Sequence, residues 1–245
     1  MLLWGRSSRV PSARRVTVPY LAVIGDMIQS RQAQDRSDVQ KKLTTVLEGI
    51  NQDFGPHKVY GDCLISKFTI TLGDEFQALL RPTRTIFQIL DVISWKMEPS
   101  EFRYGIGVGG ISTSIDPDKS IGADGPAYWF AREAIDYIHG NDDYGVNHLA
   151  FRCGDRDLVP WLNDALACTE FMKSKWNVTQ REVFHELLED HLYDEQFEQK
   201  AMAARMGLKP SPLQKRLKTG GLRIYLRTRN DLGSVIEKLE GSHDK

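Results

Sequence analysis

The strongest constraint on the fold is a set of short β-like runs that each stop on a glycine followed by a carboxylate. Tyr20-Leu21-Ala22-Val23-Ile24 is unbroken and apolar, reads as a buried strand, and ends at Gly25-Asp26. Phe68 to Leu72 and Phe76 to Leu80 read as the arms of a hairpin joined through Gly73-Asp74-Glu75. Strand interiors disfavour Asp, and an acid at a strand end usually caps a helix or closes a turn. The hairpin turn lacks the Asn-Gly or Asp-Gly of tight reversals, which sets Asp74 apart from an ordinary turn residue. If the hairpin pairs beside the first strand, Asp26 and Asp74 meet at one rim of a sheet, with Glu75 next to them. Hard oxygen ligands in that arrangement point to Mg²⁺ or Mn²⁺.

The spacing of apolar residues supplies the helices. Ser37 with Gln40 forms a capping box ahead of Val39, Leu43, Leu47, Ile50 and Phe54, ending at Gly55-Pro56. Ile86, Leu90, Ile93 and Met97 recur at helical spacing before Pro99. Phe102 to Ile111 reads as a glycine-rich strand, Ser120 to Gly125 as a loop, and Pro126 opens a helix carrying Phe130, Ala134, Ile135 and Ile138 to Gly140. Val146 to Cys153 alternates like a closing strand. The predicted order is β-α-β-β-α-β-α-β, an α/β (α+β) sheet with flanking helices that contains the ferredoxin-like split β-α-β unit, extended by one helix and one strand.

From Asp155 onward the patterns are helical, over Trp161 to Lys175 and Arg181 to Leu192, and the charge changes. Between Gln196 and Arg229 stand Lys200, Arg205, Lys209, Lys215, Arg216, Lys218, Arg223, Arg227 and Arg229 against the single acid Glu198, whereas the chain as a whole has net charge -1. Glu198 to Met206 reads as a helix, Gly207 to Pro210 as a turn, and Ser211 as the cap of a second helix from Pro212 to Lys218. This helix-turn-helix pattern would show Gln214, Lys215 and Lys218 to a DNA major groove, with Arg205 and Arg216 on backbone phosphates. Arg223 to Arg229 would form a basic wing or strand that brings Arg223 and Arg227 to phosphate. The plainer alternative is a helical bundle with a solvated basic face.

With 245 residues and 41% hydrophobic content, two domains are expected. They are an α/β domain over 19–153 and a helical domain over 156–245, after a disordered, arginine-rich tail over 1–18. A transit peptide is the alternative reading of that tail. The three cysteines, Cys63, Cys153 and Cys168, form no C-x-x-C pair, which fits a reduced, cytoplasmic protein without a disulfide framework. No run approaches the roughly 20 apolar residues that span a bilayer.

Other motifs carry less. Gly105-Ile106-Gly107-Val108-Gly109-Gly110 matches G-x-G-x-x-G, but no helix opens after it, so glycines that admit a close neighbour are the preferred reading. Gly25 and Gly73 beside the acidic turns are expected to face a nucleotide or phosphate, and in the loop Ser120 to Pro126, Gly122, Asp124 and Gly125 could cradle a phosphate at a helix start, with Arg132 behind them. The alternatives are an Asp124 helix cap and an Arg132 paired to an acid. His185 and His191 read as solvated surface histidines, and no G-x-S-x-G occurs.

These segments, with Ile70 to Gln77 and Ile121 to Ala134 above all, resemble the SatD family, whose members share I-G-D, I-T-x-G-D-E-F-Q and I-G-A-D-G-P-A-x-x-x-A-R-E-A motifs. At longer range the first domain is similar to class III nucleotide cyclases and GGDEF domains, which share a palm-like sheet. That resemblance implies metal-binding acids at Asp26 and Asp74. Cyclases usually carry an Asn four residues before the Arg that Arg132 matches, and Tyr128 stands there; GGDEF domains have a glycine where Leu72 stands. The expected function is a cytoplasmic regulator that binds a nucleotide or phosphate compound with Mg²⁺ and contacts DNA. The alternatives are a metal-dependent nucleotidyl cyclase or nucleotidyl/phosphoryl transferase, and a degenerate cyclase-like interaction scaffold. Catalytic domains of this fold often work as dimers, which leaves a homodimer open.

Overall fold

A computed structural model describes residues 18–28, 36–53, 58, 62–141 and 143–241. The expected tail over 1–18, except for exposed Val18, and the helix stop at 54–56 lie outside the described residues. The sheet has the order β2-β3-β1-β4-β5, from β1 (Tyr20–Met27), β2 (Leu64–Leu72), β3 (Glu75–Leu80), β4 (Phe102–Gly109) and β5 (Leu149–Cys153). β1 pairs antiparallel with both β3 and β4, β2 with β3 likewise, and β5 adds parallel to β4. This is the split β-α-β order with one more strand.

Helices α1 (Arg36–Asp53) and α2 (Ile86–Met97) cover one face, where Leu21, Val23, Phe76, Ala78, Ile106 and Val108 are buried. Helix α3 (Pro126–Gly140) lies on the other, over Ala22, Ile24 and Leu79. Its seat is a stripe of glycines on β4. A Cβ at Gly105 would come within 2.2 Å of the Ala131 carbonyl oxygen, and one at Gly107 within 2.1 Å of the Ala127 oxygen. The glycine-rich run is therefore where a helix lies directly on strand backbone.

The C-terminal half is α4 (Leu158–Ser174), α5 (Val178–Glu189), α6 (Gln199–Arg205), α7 (Pro210–Gly220) and α8 (Leu222–Lys238). One hydrophobic core runs from the sheet through Phe87 and Leu90 of α2 to Leu166, Phe184, Leu213, Tyr225 and Ile236. Among the described residues no helix is long and apolar enough to cross a membrane.

Several local expectations are corrected by the fold. Arg223 to Arg229 forms no wing, because Gly221 takes a left-handed turn (φ 62°) and Leu222, Tyr225, Leu226, Arg229, Leu232 and Ile236 then follow one buried helical stripe in α8. Ser211 is not a cap: α7 begins at Pro210, whose missing N–H suits the first turn, with Lys209 before it. Ser37 already stands within the first turn of α1. β2 begins at Leu64 rather than Phe68, and β5 at Leu149 rather than Val146. His185 is half-buried rather than solvated, tilted against Trp95 with ring centroids 5.6 Å apart and paired to Glu98 at 3.3 Å. Burial pulls its pKa down against the pull of Glu98.

Candidate functional site

Strand register builds the acidic rim. Asp26 lies opposite Glu75 on β3 and opposite Arg103 on β4, so the three share the α3 face of the sheet, with Asp74 one residue before Glu75 in the turn. Asp26 Oδ2 is 3.5 Å from His139 Nε2 at the end of α3 and 3.8 Å from an Arg103 nitrogen. Burial pushes the Asp26 carboxyl above its ordinary value; His139 and Arg103 oppose this, whereas the charges of Asp74 and Glu75 add to it.

Glu75 is committed elsewhere. It accepts both ends of the Arg132 guanidinium, at 2.7 and 3.0 Å, and a hydrogen bond from the Thr71 hydroxyl at 3.0 Å. The Arg132 hydrogen bond, offset in part by burial, holds Glu75 below its ordinary value, and the same interaction raises Arg132. Among the described residues no group of three or more His, Cys, Asp or Glu could hold a metal ion. Gly25, expected to face a ligand, is glycine for packing: a Cβ there would run into the Phe76 ring at 2.3 Å. Gly73 turns the hairpin with φ 61°.

The α3 loop is folded back on the strand it leaves. Ser112 N–H donates to the Asp124 oxygen at 2.8 Å and Ala127 N–H to the Gly110 oxygen at 3.1 Å, which occupies one of the amides that would otherwise face an anion. Asp124 does not cap α3, whose N-cap is Gly125; its carboxylate accepts from the Trp129 indole at 2.8 Å. A Cβ at Gly125 would meet backbone atoms of residues 110–112 at 2.8 Å, so this position excludes side chains. Gly122 (φ 90°) has open space around it.

Between this loop, α3 and the sheet lies a cavity of about 500 Å³, lined by Ile24, Gln77, Ala123, Asp124, Tyr128, Trp129, Arg132, Glu133 and Asp136. Trp129 is 57% exposed, whereas Tyr128 is buried and its hydroxyl has no partner in hydrogen-bonding geometry. Burial pushes the Tyr128 hydroxyl up to about 12, against a smaller pull from Ser120. Residue pattern does not single out Tyr128, Gln77 and Trp129; only the spacing of the two aromatics around Arg132 on α3 hints at one wall.

The basic segment sorts its charges. Arg205 pairs with Asp190 and Glu186, Arg216 with Glu182, and Arg227 with Glu195, while Arg223 donates to the Glu195 carbonyl. Ser211, Gln214, Lys215 and Lys218 of α7 are exposed, at spacings of three, one and three, as are Pro210, Pro212 and Thr219, and no ion pair engages those lysines among the described residues.

A buried network elsewhere has no counterpart among the sequence motifs. Asp91 of α2 accepts from Lys173 Nζ at 2.6 Å, from the Tyr193 hydroxyl at 2.5 Å and from the Tyr225 hydroxyl at 2.7 Å, and Arg229 of α8 pairs with Glu170 beside it. Burial alone would raise Asp91, but the charges of Lys173 and Arg229 and these hydrogen bonds outweigh it and hold the carboxyl below its ordinary value. The readable signal is an acid in the apolar run Ile89-Leu90-Asp91-Val92-Ile93.

The model of the SatD family matches residues 20–236 of the chain. No curated protein and no solved structure matches it.

Proposed function

The chain belongs to the SatD family, and we propose that it works as a cytoplasmic, ligand-responsive regulator: the α3 cavity takes a nucleotide or related phosphate compound, and the exposed face of α7 contacts DNA. The observation that carries the first half is a ligand-sized cavity in which a buried hydroxyl with no partner in hydrogen-bonding geometry, Tyr128, stands beside an exposed indole, Trp129, and a guanidinium, Arg132. A base would stack on Trp129 and accept from Tyr128. A phosphate would share or displace Glu75 on Arg132, which already presents a two-pronged donor.

The same walls are acidic, with Asp124, Glu133 and Asp136 around the one arginine. Phosphate therefore needs further neutralisation, and Mg²⁺ or Mn²⁺ held by Asp26 and Asp74 would supply it, since Mg²⁺ takes one or two carboxylates plus phosphate oxygens rather than a full protein cage. For the second half, Gln214 and Lys215 would reach base edges and Lys218 phosphate, while the paired arginines brace the bundle.

A second reading is favoured by the internal pairing of the rim. With Glu75 on Arg132 and Asp26 between His139 and Arg103, the domain could serve as an interaction scaffold without a ligand. Calorimetry with ATP and GTP, with and without Mg²⁺, decides. Binding weakened at least tenfold in Trp129→Ala and Arg132→Ala supports the regulator, unaltered binding in both removes the proposed site, and no binding favours the scaffold. Product formation from either nucleotide would replace regulation by nucleotidyl or phosphoryl transfer. Duplex affinity should fall steeply with salt, with a slope smaller by about 1 in Lys218→Ala.

A further inference from the structure

A larger cavity, of about 620 Å³, lies on the opposite side of the sheet from α3, where α2, α4, α5 and α8 converge. Its apolar walls include Phe87, Tyr104, Trp176 and Phe184. Its size and aromatic lining are those of small-molecule sites, which bury most of a ligand against apolar walls and orient it with a few polar groups.

The charged groups of its interior are matched, while Glu101 and Arg181, which also line it, are exposed and carry no ion pair among the described residues. Asp91 is saturated by Lys173 and two tyrosines, Glu170 holds Arg229, and Glu98 faces His185. A ligand with a net charge would find no counter-charge left over in this interior, and its desolvation would go uncompensated.

One donor is unmatched. Arg229 is 1% exposed and lines the cavity, with its guanidinium 5.1 Å from the centres of the Phe87 and Tyr225 rings, and its Nε–H has no hydrogen-bond partner while another of its nitrogens is bound to Glu170. A buried N–H without an acceptor is costly, and a ligand oxygen is what would relieve it.

We propose that this cavity binds a small, flat, uncharged aromatic compound bearing a carbonyl oxygen, which accepts the Arg229 Nε hydrogen bond while its ring packs among Phe87, Trp176 and Phe184. The site is distinct from the α3 cavity and does not rest on nucleotide binding there.

Benzamide is the probe, with benzoate as its charged counterpart and benzene as its counterpart without an acceptor, each titrated into the full chain by calorimetry. The expected result is saturable benzamide binding, at least tenfold weaker for both counterparts, abolished by Val146→Trp at the cavity mouth and unchanged by Trp129→Ala in the other cavity. Benzoate binding as tightly as benzamide would overturn the claim of a charge-matched interior, and benzene doing so would overturn the role of Nε. Binding that survives Val146→Trp would place the probe elsewhere, and no binding of benzamide at millimolar concentration would end the proposal. Arg229→Lys, which keeps the charge and removes Nε, should lose the preference for benzamide over benzene; if that variant does not fold, the mouth variant carries the test.

Discussion

Asp91 is a buried carboxylate and Asp26 a half-buried one, and they titrate in opposite directions. Asp91 receives three hydrogen bonds in a region where four elements meet, and is held below its ordinary value. Asp26 has His139 and Arg103 only at ion-pair range and two acids nearby, and is held above it. The first is a joint whose polar groups serve each other. The second is a carboxylate whose charge the fold leaves poorly compensated, the condition that a ligand or cation would relieve.

The largest effect that tests this contrast is Asp91→Ala. It takes the carboxylate from half-buried Lys173, leaves buried Arg229 with Glu170 as its one ion-pair partner, and leaves the Tyr193 and Tyr225 hydroxyls without their acceptor, so stability should fall by about 3–5 kcal/mol in urea denaturation. A loss below about 1 kcal/mol would erase the distinction between joint and rim.

Next comes acid. Because the folded-state pKa of Asp91 is depressed below 3.8, its contribution is fully present above that value and is lost as pH falls through the lower folded one. The wild type should therefore lose stability over this acid range, and the deficit of an Asp91→Asn variant should shrink there. Asp26 has the opposite sign: its raised folded pKa favours the folded state below 3.8, and that advantage disappears as pH rises through the raised value.

The smallest effect follows from that sign. Asp26→Asn should stabilise the chain at pH 7, within about 1 kcal/mol, and leave it unchanged or weaker at pH 3, read as thermal midpoints at both values. Loss of stability at pH 7 would recast Asp26 as a second joint.

What the sequence disclosed was set by local periodicity. The unbroken run before Asp26 and the hairpin around Asp74 gave the centre of the sheet and brought Asp26, Asp74 and Glu75 to one rim, because strand ends are marked by the residues that stop them. The glycines of β4 read correctly as a place of close approach. Partners separated by long stretches of chain stayed hidden: Arg132 on Glu75, His139 beside Asp26, and Tyr225 on Asp91, pairings that no period of two or 3.6 encodes. Arg223 to Arg229 misled because Arg223, Tyr225, Arg227 and Arg229 fall on every second position as one face of a strand would, while the helical stripe that fixes them depends on Leu222, Leu232 and Ile236 outside that window.

The seat of α3 on bare β4 backbone bears on how its cavity would work. Where helix carbonyls rest on the β4 main chain there are few side chains to reshuffle, so the helix has little freedom to roll or lift, and Tyr128, Trp129 and Arg132 project from a fixed platform. A guest would meet a mould already set, and differences among guests would show mainly in how long each one stays.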